Sequence, residues 1–426
     1  MSRLLSRRRL LATAALAVTT SFALVACGSD AKPASNTAAL SGTITFWHAY
    51  GADSQEVKTL HDVIIPGFEA KHPGTVVKDA AIPYDQLHQK IITAAAGSEL
   101  PDVMRSDIIW VPEFAKLGLL EPLNTAMTDF SSFSDKVFPG ALETNKYKGK
   151  YYGLPLDTNT RVQMYSATAL TAAGLSAPPK TFDDLRALGT KLDGKNVFAF
   201  ADNGLSGWNV LPWIWSAGGD ITNKDYTKST GYLNSAASVS GVQLLLDLYH
   251  QKQLPGIVLG GTGGVPTSDG LATGKYATIL DGPWMYPIFA TAHPEFKLQV
   301  AAVPAGPGGS VSVVGGEDTV VFRQSKNKAL ALEFTRYLLS SEAQLAFAKI
   351  GQMSVLRDLD VASVNPTYVP FVEQLKTARP RPPVPAWPKI DDLLQRHLQA
   401  AFKGDVTVQQ ALDQAAGEID TLLTQS

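Results

Sequence analysis

Four short stretches of this 426-residue chain place aromatic rings beside groups that exchange hydrogen bonds. They are Trp47-His48-Ala49-Tyr50, Asp107 to Trp110, Asp157-Thr158-Asn159-Thr160-Arg161 and Gly282-Pro283-Trp284. Trp213 belongs to a further cluster, with Trp208 and Trp215. Aromatic faces cover flat C–H surfaces, while carboxylate, amide and guanidinium edges pair with hydroxyls. Together they have the chemistry of carbohydrate recognition. Each stretch alone has a plain structural alternative: a tryptophan packs in a core, and an aspartate at a strand end caps a turn. Their recurrence along one chain favours binding.

Catalytic patterns are sparse. There is no G-x-S-x-G elbow and no H-E-x-x-H pair. His48, His61, His72 and His88 stand 11 to 16 positions apart, which is not a metal-ligand spacing. The glycine run Gly260–Gly264 lacks the lysine and hydroxyl of a phosphate loop and reads as a flexible connection. No cofactor and no metal are expected. A glycosidase pair, such as Asp107 with Asp157, is not fixed by the sequence, so a secreted hydrolase stays open as an alternative.

The elements that must hold these residues alternate. Gly42–Trp47 reads as a buried strand, and Asp53 or Ser54 caps a helix to about Lys71. Thr75–Ala81 is a strand, Tyr84–Ala96 a helix, Pro101–Met104 a strand and Trp110–Leu117 a short helix. Thr181 caps a helix bearing Phe182, Leu185, Leu188 and Leu192 on one face. Strands follow at Asn196–Ala201, Tyr276–Leu280, Leu298–Val303 and, interrupted by Gly315-Gly316-Glu317, Ser312–Phe322. Capping boxes are expected at Ser341/Gln344 and Thr407/Gln410. The alternation predicts an α/β fold with a largely parallel sheet, whose strand ends collect ligands.

The start of the chain is an address. Arg3, Arg7, Arg8 and Arg9 precede the apolar run Leu10–Val25, which is short of the about 20 residues that span a bilayer. Leu24-Val25-Ala26-Cys27 resembles a lipobox, so residues 1–26 read as a signal peptide and Cys27 as the lipidated mature N-terminus. Ser6–Leu11 also resembles a twin-arginine signal, leaving either export route open. Residues 27–40 are small and polar, suiting a tether on the outer face of the membrane. Cys27 is the single cysteine, so the mature chain is expected to have neither disulfide nor thiol chemistry. The net charge of −2, from 37 basic and 39 acidic residues, speaks against nucleic acid as a partner.

Thr43–Gly51, Glu99–Leu123, Gly149–Tyr165, Gly274–Trp284 and Val314–Leu339 resemble the extracytoplasmic solute-binding proteins of ABC sugar importers. The similarity covers essentially the whole mature chain and is nearest to the maltose/trehalose and multiple-sugar group. It implies a two-lobed, type II clamshell with crossing strands near 156–159 and 314–319. The implied lobes are 41–157 with 318–356, and 158–317 with 357–426. It also implies a monomer that hands a di- or oligosaccharide to permease subunits. A non-sugar polar solute, such as a glycerol phosphodiester, is the alternative ligand. The resemblance makes Asp107 a sugar-bonding acid, Trp284 a stacking ring, and Gly315 and Gly316 a pair that lets ligand approach. Asn159 stands where relatives often carry an acid, and Asp157 is the candidate replacement. With Trp47, His48, Tyr50, Arg161, Trp213, Glu317 and Arg381, on a crossing segment, these residues make up the expected binding set.

Overall fold

The computed structural model describes residues 40–260 and 263–425. The expected signal peptide, Cys27, the tether up to residue 39, and Gly261 and Thr262 of the glycine run lie outside them. Among the described residues, no helix is long and apolar enough to cross a membrane.

Alternating side chains place one face of each strand inward. In β1 (Gly42–His48), Ile44, Phe46 and His48 are buried. β1 pairs in parallel with β2 (Thr75–Ala81) and β3 (Val103–Asp107). A small ribbon, β4 (Lys146–Tyr147) and β5 (Lys150–Tyr151), leads into β6 (Gly153–Thr160). β7 (Val162–Tyr165), β8 (Phe198–Ala201), β9 (Tyr276–Asp281), β10 (Gln299–Ala301) and β11 (Val314–Val321) complete the set. One sheet has the order β2-β1-β3-β11-β6 and the other β10-β7-β9-β8. Arg161 alone separates β6, in the first sheet, from β7, in the second.

The sheets are mixed, which corrects the expectation of a largely parallel arrangement. β11 runs antiparallel to both β3 and β6, and β7 runs antiparallel to β9 and β10. The cause is topological: strands arriving from the other sheet return across the first instead of following a helical crossover. The same pairing lengthens the third strand. Expected at Pro101–Met104, it extends to Asp107 because β11 continues the ladder through Glu317 opposite Asp107.

Helices follow their caps. Ser54 accepts the Val57 N–H and opens the helical run Gln55–Lys71, whose middle, Leu60–Ile64, widens into a π turn. Pro66 follows that turn; it has no N–H to give and its ring would crowd a preceding carbonyl. Thr181, expected as a cap, makes a full box with Asp184, and the capping box expected at Thr407/Gln410 forms. The one expected at Ser341/Gln344 does not. Ser340 is the cap, and Gln344 instead donates to the buried Leu156 and Leu338 carbonyls.

Among the described residues, three apolar clusters hold these layers. Behind the first sheet, Phe46, Phe68 and Phe334 meet edge-on with Leu60 and Ile64. Val162, Met164, Ile279 and Phe371 pack behind the second sheet. The largest joins Leu87 and Phe114, from the segments around the first sheet, to Trp213, Leu245, Ile390 and Leu412. Each large side chain so buried contributes roughly 1.5–3 kcal/mol.

Candidate ligand cleft

A cavity of about 900 Å³ opens where the two sheets meet the helix Gly207–Ser216. Its residues come from loops after β1, from β3, from the β6–β11 pair and from the turn after β9.

One wall is aromatic. The rings of Trp208 and Trp284 lie 6.1 Å apart at 32° and form a continuous apolar surface. Trp208 opens its helix at the cleft, one residue after Gly207. Trp284 follows the Gly282-Pro283 turn, and a Cβ at Gly282 would strike its ring. Tyr84 and Tyr50 also line the cavity; Tyr84 stacks on Trp110 with centroids 5.1 Å apart.

The other components are charged and interlocked. Arg105 lies 4.3 Å over the Tyr50 ring. Its Nη2 is 2.8 Å from Glu317 Oε2 and donates to Asp157 Oδ2 at 3.2 Å. Burial is the largest influence on Arg105 and opposes its charge, but Glu317 and Asp157 outweigh it and hold the guanidinium protonated. Burial, then repulsion from Asp157 and Asp107, pushes the Glu317 carboxyl well up despite Arg105. Asp107 accepts from Tyr84 Oη at 2.7 Å and from the Ile109 N–H at 2.9 Å, and faces Arg381 at 3.5 Å. Arg381 in turn lies 5.4 Å over Trp208.

Two glycines let this cluster close up. Gly315 faces Asn159 across the β6–β11 ladder, and a Cβ there would collide with the Asn159 amide oxygen and the Trp208 ring. Gly316 sits at φ +142°, where side chains are strained, with the Asp157 carbonyl against it. A register shift between Glu317 and Asp318 re-aims Glu317 at the cavity rim.

The structure brings Tyr50, Asp107, Asn159, Trp284, Gly315, Gly316, Glu317 and Arg381 to the cleft. Five expected residues are elsewhere. Trp47 points to the other face of β1, under Lys90 at 4.8 Å. His48 is fully buried, accepts the Tyr50 N–H at Nδ1 and donates from Nε2 to Asp79. Burial lowers its pKa to about 4, so it is neutral. Asp157 lies behind the wall as a partner of Arg105. Arg161 is buried between the sheets, with Nη2 2.9 Å from both Asp202 oxygens and contacts to the Leu280 and Trp208 carbonyls. Trp213 is 1% exposed and meets Phe200 edge-on. Strand phase turns Trp47, and helix phase Trp213, away from the cavity, while Asp157, on the same face as Asn159, is held against Arg105 behind the wall.

Tyr84, Arg105, Trp208, Gln352 and Asp391 also line the cleft, beyond the expected set. Arg105 stands two positions before Asp107, so strand alternation alone puts both on one face. The tryptophan cluster is plain in the sequence, but which ring faces out is not. Among the described residues, no group of three or more His, Cys, Asp or Glu could hold a metal ion.

Residues 51–345 match the family model for bacterial extracellular solute-binding proteins. The chain belongs to that family. A Brucella abortus relative of this solute-binding protein is 28% identical over 373 residues, covering 84% of this chain and 88% of its own. The galactooligosaccharide-binding protein of Bacillus subtilis is 24% identical over 416 residues, covering 94% of each. The GacH receptor of Streptomyces glaucescens, solved unliganded and with acarbose, superposes with a TM-score of 0.81 at 24% identity. That match covers 90% of this chain and 99% of the receptor. The shared architecture is the two-lobed, type II clamshell of the solute-binding proteins.

Proposed function

We propose that this solute-binding protein captures a di- or oligosaccharide between two lobes and delivers it to the permease of an ABC transporter. The observation that carries the reading is the joined surface of Trp208 and Trp284, facing a cavity edged by Asp107, Asn159, Arg105 and Arg381. Rings cover the apolar faces of pyranoses, and the planar edges exchange hydrogen bonds with their hydroxyls. The oligosaccharide-binding relative from Bacillus supports the ligand class. Both arginines are already engaged with carboxylates, which disfavours a phosphodiester ligand.

On this reading the first lobe extends the expected 41–157 with 318–356 to the sheet ends of β6 and β11, residues 160 and 314, and the second runs over 162–313 with 357–425. Their hinge lies at Arg161, at the β10–β11 connection and at the segment around Arg381. Ligand would draw the lobes together. The protein works as a monomer, without catalysis, held to the outer face of the membrane through a lipid on Cys27. Replacing Cys27 with Ser should move it from the membrane fraction to the medium.

The deciding experiment is a thermal-shift screen against mono-, di- and trisaccharides. A ligand bound only by the folded state at a hundredfold excess over Kd adds about 2.7 kcal/mol of stability. A flat response across neutral and amine-bearing sugars would reject the reading.

A further inference from the structure

The cleft's charges do not balance. Asp53, Glu56, Asp107, Glu317 and Asp391 line it, and Asp157 lies directly behind; the cations are Arg105 and Arg381, so the acids outnumber them even with the Glu317 carboxyl pushed up into its neutral form. Arg105 is shared by Asp157 and Glu317, and Arg381 faces Asp107. Glu56 and Asp391 therefore have no cationic partner within 4 Å among the described residues. Glu56 takes one hydrogen bond, from Gln352, and Asp391 takes one, from the Gly207 N–H. A second oxygen on each is left for another donor.

An independent observation concerns Asn159. It is 7% exposed and lines the cavity, yet its amide makes no hydrogen bond to any described residue. Burying such a group unpaired is unfavourable, so it marks a place where ligand completes the structure. Asp157 Oδ1 is a further buried acceptor without a donor among the described residues. The buried Nε–H groups of Arg105 and Arg381 are also unmet, so the cleft offers donors as well as acceptors, and its excess negative charge is what favours one sign of ligand. Burial, and then the neighbouring carboxylates Asp392 and Asp107 against Arg381, raise Asp391 to about 6, consistent with that field.

Resting on the sugar-binding reading above, we infer that the cleft prefers an oligosaccharide bearing a protonated amine. A neutral sugar supplies hydroxyl donors but leaves the excess charge of Glu56 and Asp391 uncompensated when the lobes exclude water. An ammonium group supplies up to three donors and the missing positive charge together. The tryptophan pair adds a face that attracts cations.

The test is calorimetric titration of the purified protein with β-1,4 dimers and trimers in three forms: glucosamine, N-acetylglucosamine and glucose. These differ only at C2. Maltose, trehalose and choline complete the panel. At about pH 7, above the range in which Asp391 takes up a proton and where an aliphatic amine is charged, the glucosamine form should bind roughly tenfold or more tightly than its neutral counterparts. Its advantage should shrink at high salt. Asp391→Asn, which can still accept the Gly207 N–H, should cut the ratio of amine to neutral affinity severalfold, the remainder resting on Glu56, with folding checked by circular dichroism. Tightest binding by any neutral sugar, or an advantage that Asp391→Asn leaves intact, overturns this inference while leaving the sugar-binding function standing. Tightest binding by choline, or silence from the whole panel, overturns the sugar-binding function and this inference with it.

Discussion

At the scale of single residues, side-chain type and position have separate consequences. Trp208 and Trp284 are both part-exposed rings at the cleft, so truncation removes contact surface without opening a core. Trp208→Ala and Trp284→Ala are each expected to weaken ligand binding by roughly 1–3 kcal/mol, about 5- to 150-fold, with little change in Tm. Calorimetry paired with thermal unfolding separates the two effects. Trp213→Ala should do the reverse, costing roughly 3–5 kcal/mol of stability through the cavity it leaves beside Phe200.

His48 gives a pH prediction. Its folded pKa of about 4 lies below the unfolded value of 6.5, so between those values the unfolded chain binds more protons. Its contribution, on the order of 3 kcal/mol, is complete above about pH 6.5 and lost as pH falls towards 4. Asp281 acts in the opposite sense. Burial is the main cause that raises it from 3.8 to about 6, so its contribution is present at low pH and lost as pH rises through 6. Asp281→Asn is therefore expected to raise Tm at pH 7.5 relative to the parent protein, by roughly 1–3 kcal/mol of stability, with the gain vanishing near pH 4. An equal gain at both pH values would show that charge is not the cause.

At the scale of elements, the β6–β11 ladder is the part that positions the site. It places Asn159 opposite Gly315 and Asp157 opposite Glu317, and its register shift turns Glu317 towards the cavity. Gly316→Ala must force a side chain into a positive-φ position against the Asp157 carbonyl. A loss of roughly 1–3 kcal/mol in denaturant unfolding is expected, together with weaker ligand binding, because Arg105 loses its alignment. Gly417→Ala is the control: nothing lies within 4 Å of the added Cβ, and its helix should be unharmed or slightly stabilised.

At the scale of the whole molecule, Arg161 links the two sheets. It joins Asp202, the end of β9 and the Trp208 carbonyl at the one residue between β6 and β7. Closure about this point is expected to reduce the radius of gyration when ligand is added, measured by small-angle scattering. An unchanged radius with ligand bound would sink the hinge assignment. Arg161→Met should cost about 3–5 kcal/mol because it leaves Asp202 buried without its partner.

The sequence alone determined much of this protein. Local rules are short-ranged: Ser54, Thr181 and Thr407 cap their helices because the partner N–H lies three residues on. Motifs such as Gly282-Pro283-Trp284 and Gly315-Gly316-Glu317 mark the cleft because glycine and proline set backbone shape where they stand. The resemblance carried by these motifs gave the clamshell and the solute-binding family. What only the tertiary structure decided was orientation and pairing across distance. Arg105 could not be matched to Glu317, nor Asn159 to Gly315, until β11 returned antiparallel beside β3 and β6. Trp208 and Trp213 are equivalent in composition, and helix phase alone makes one a wall of the cleft and the other core. The charge excess of the cleft is likewise invisible in a net charge of −2, since it arises from which few carboxylates the fold gathers around two arginines.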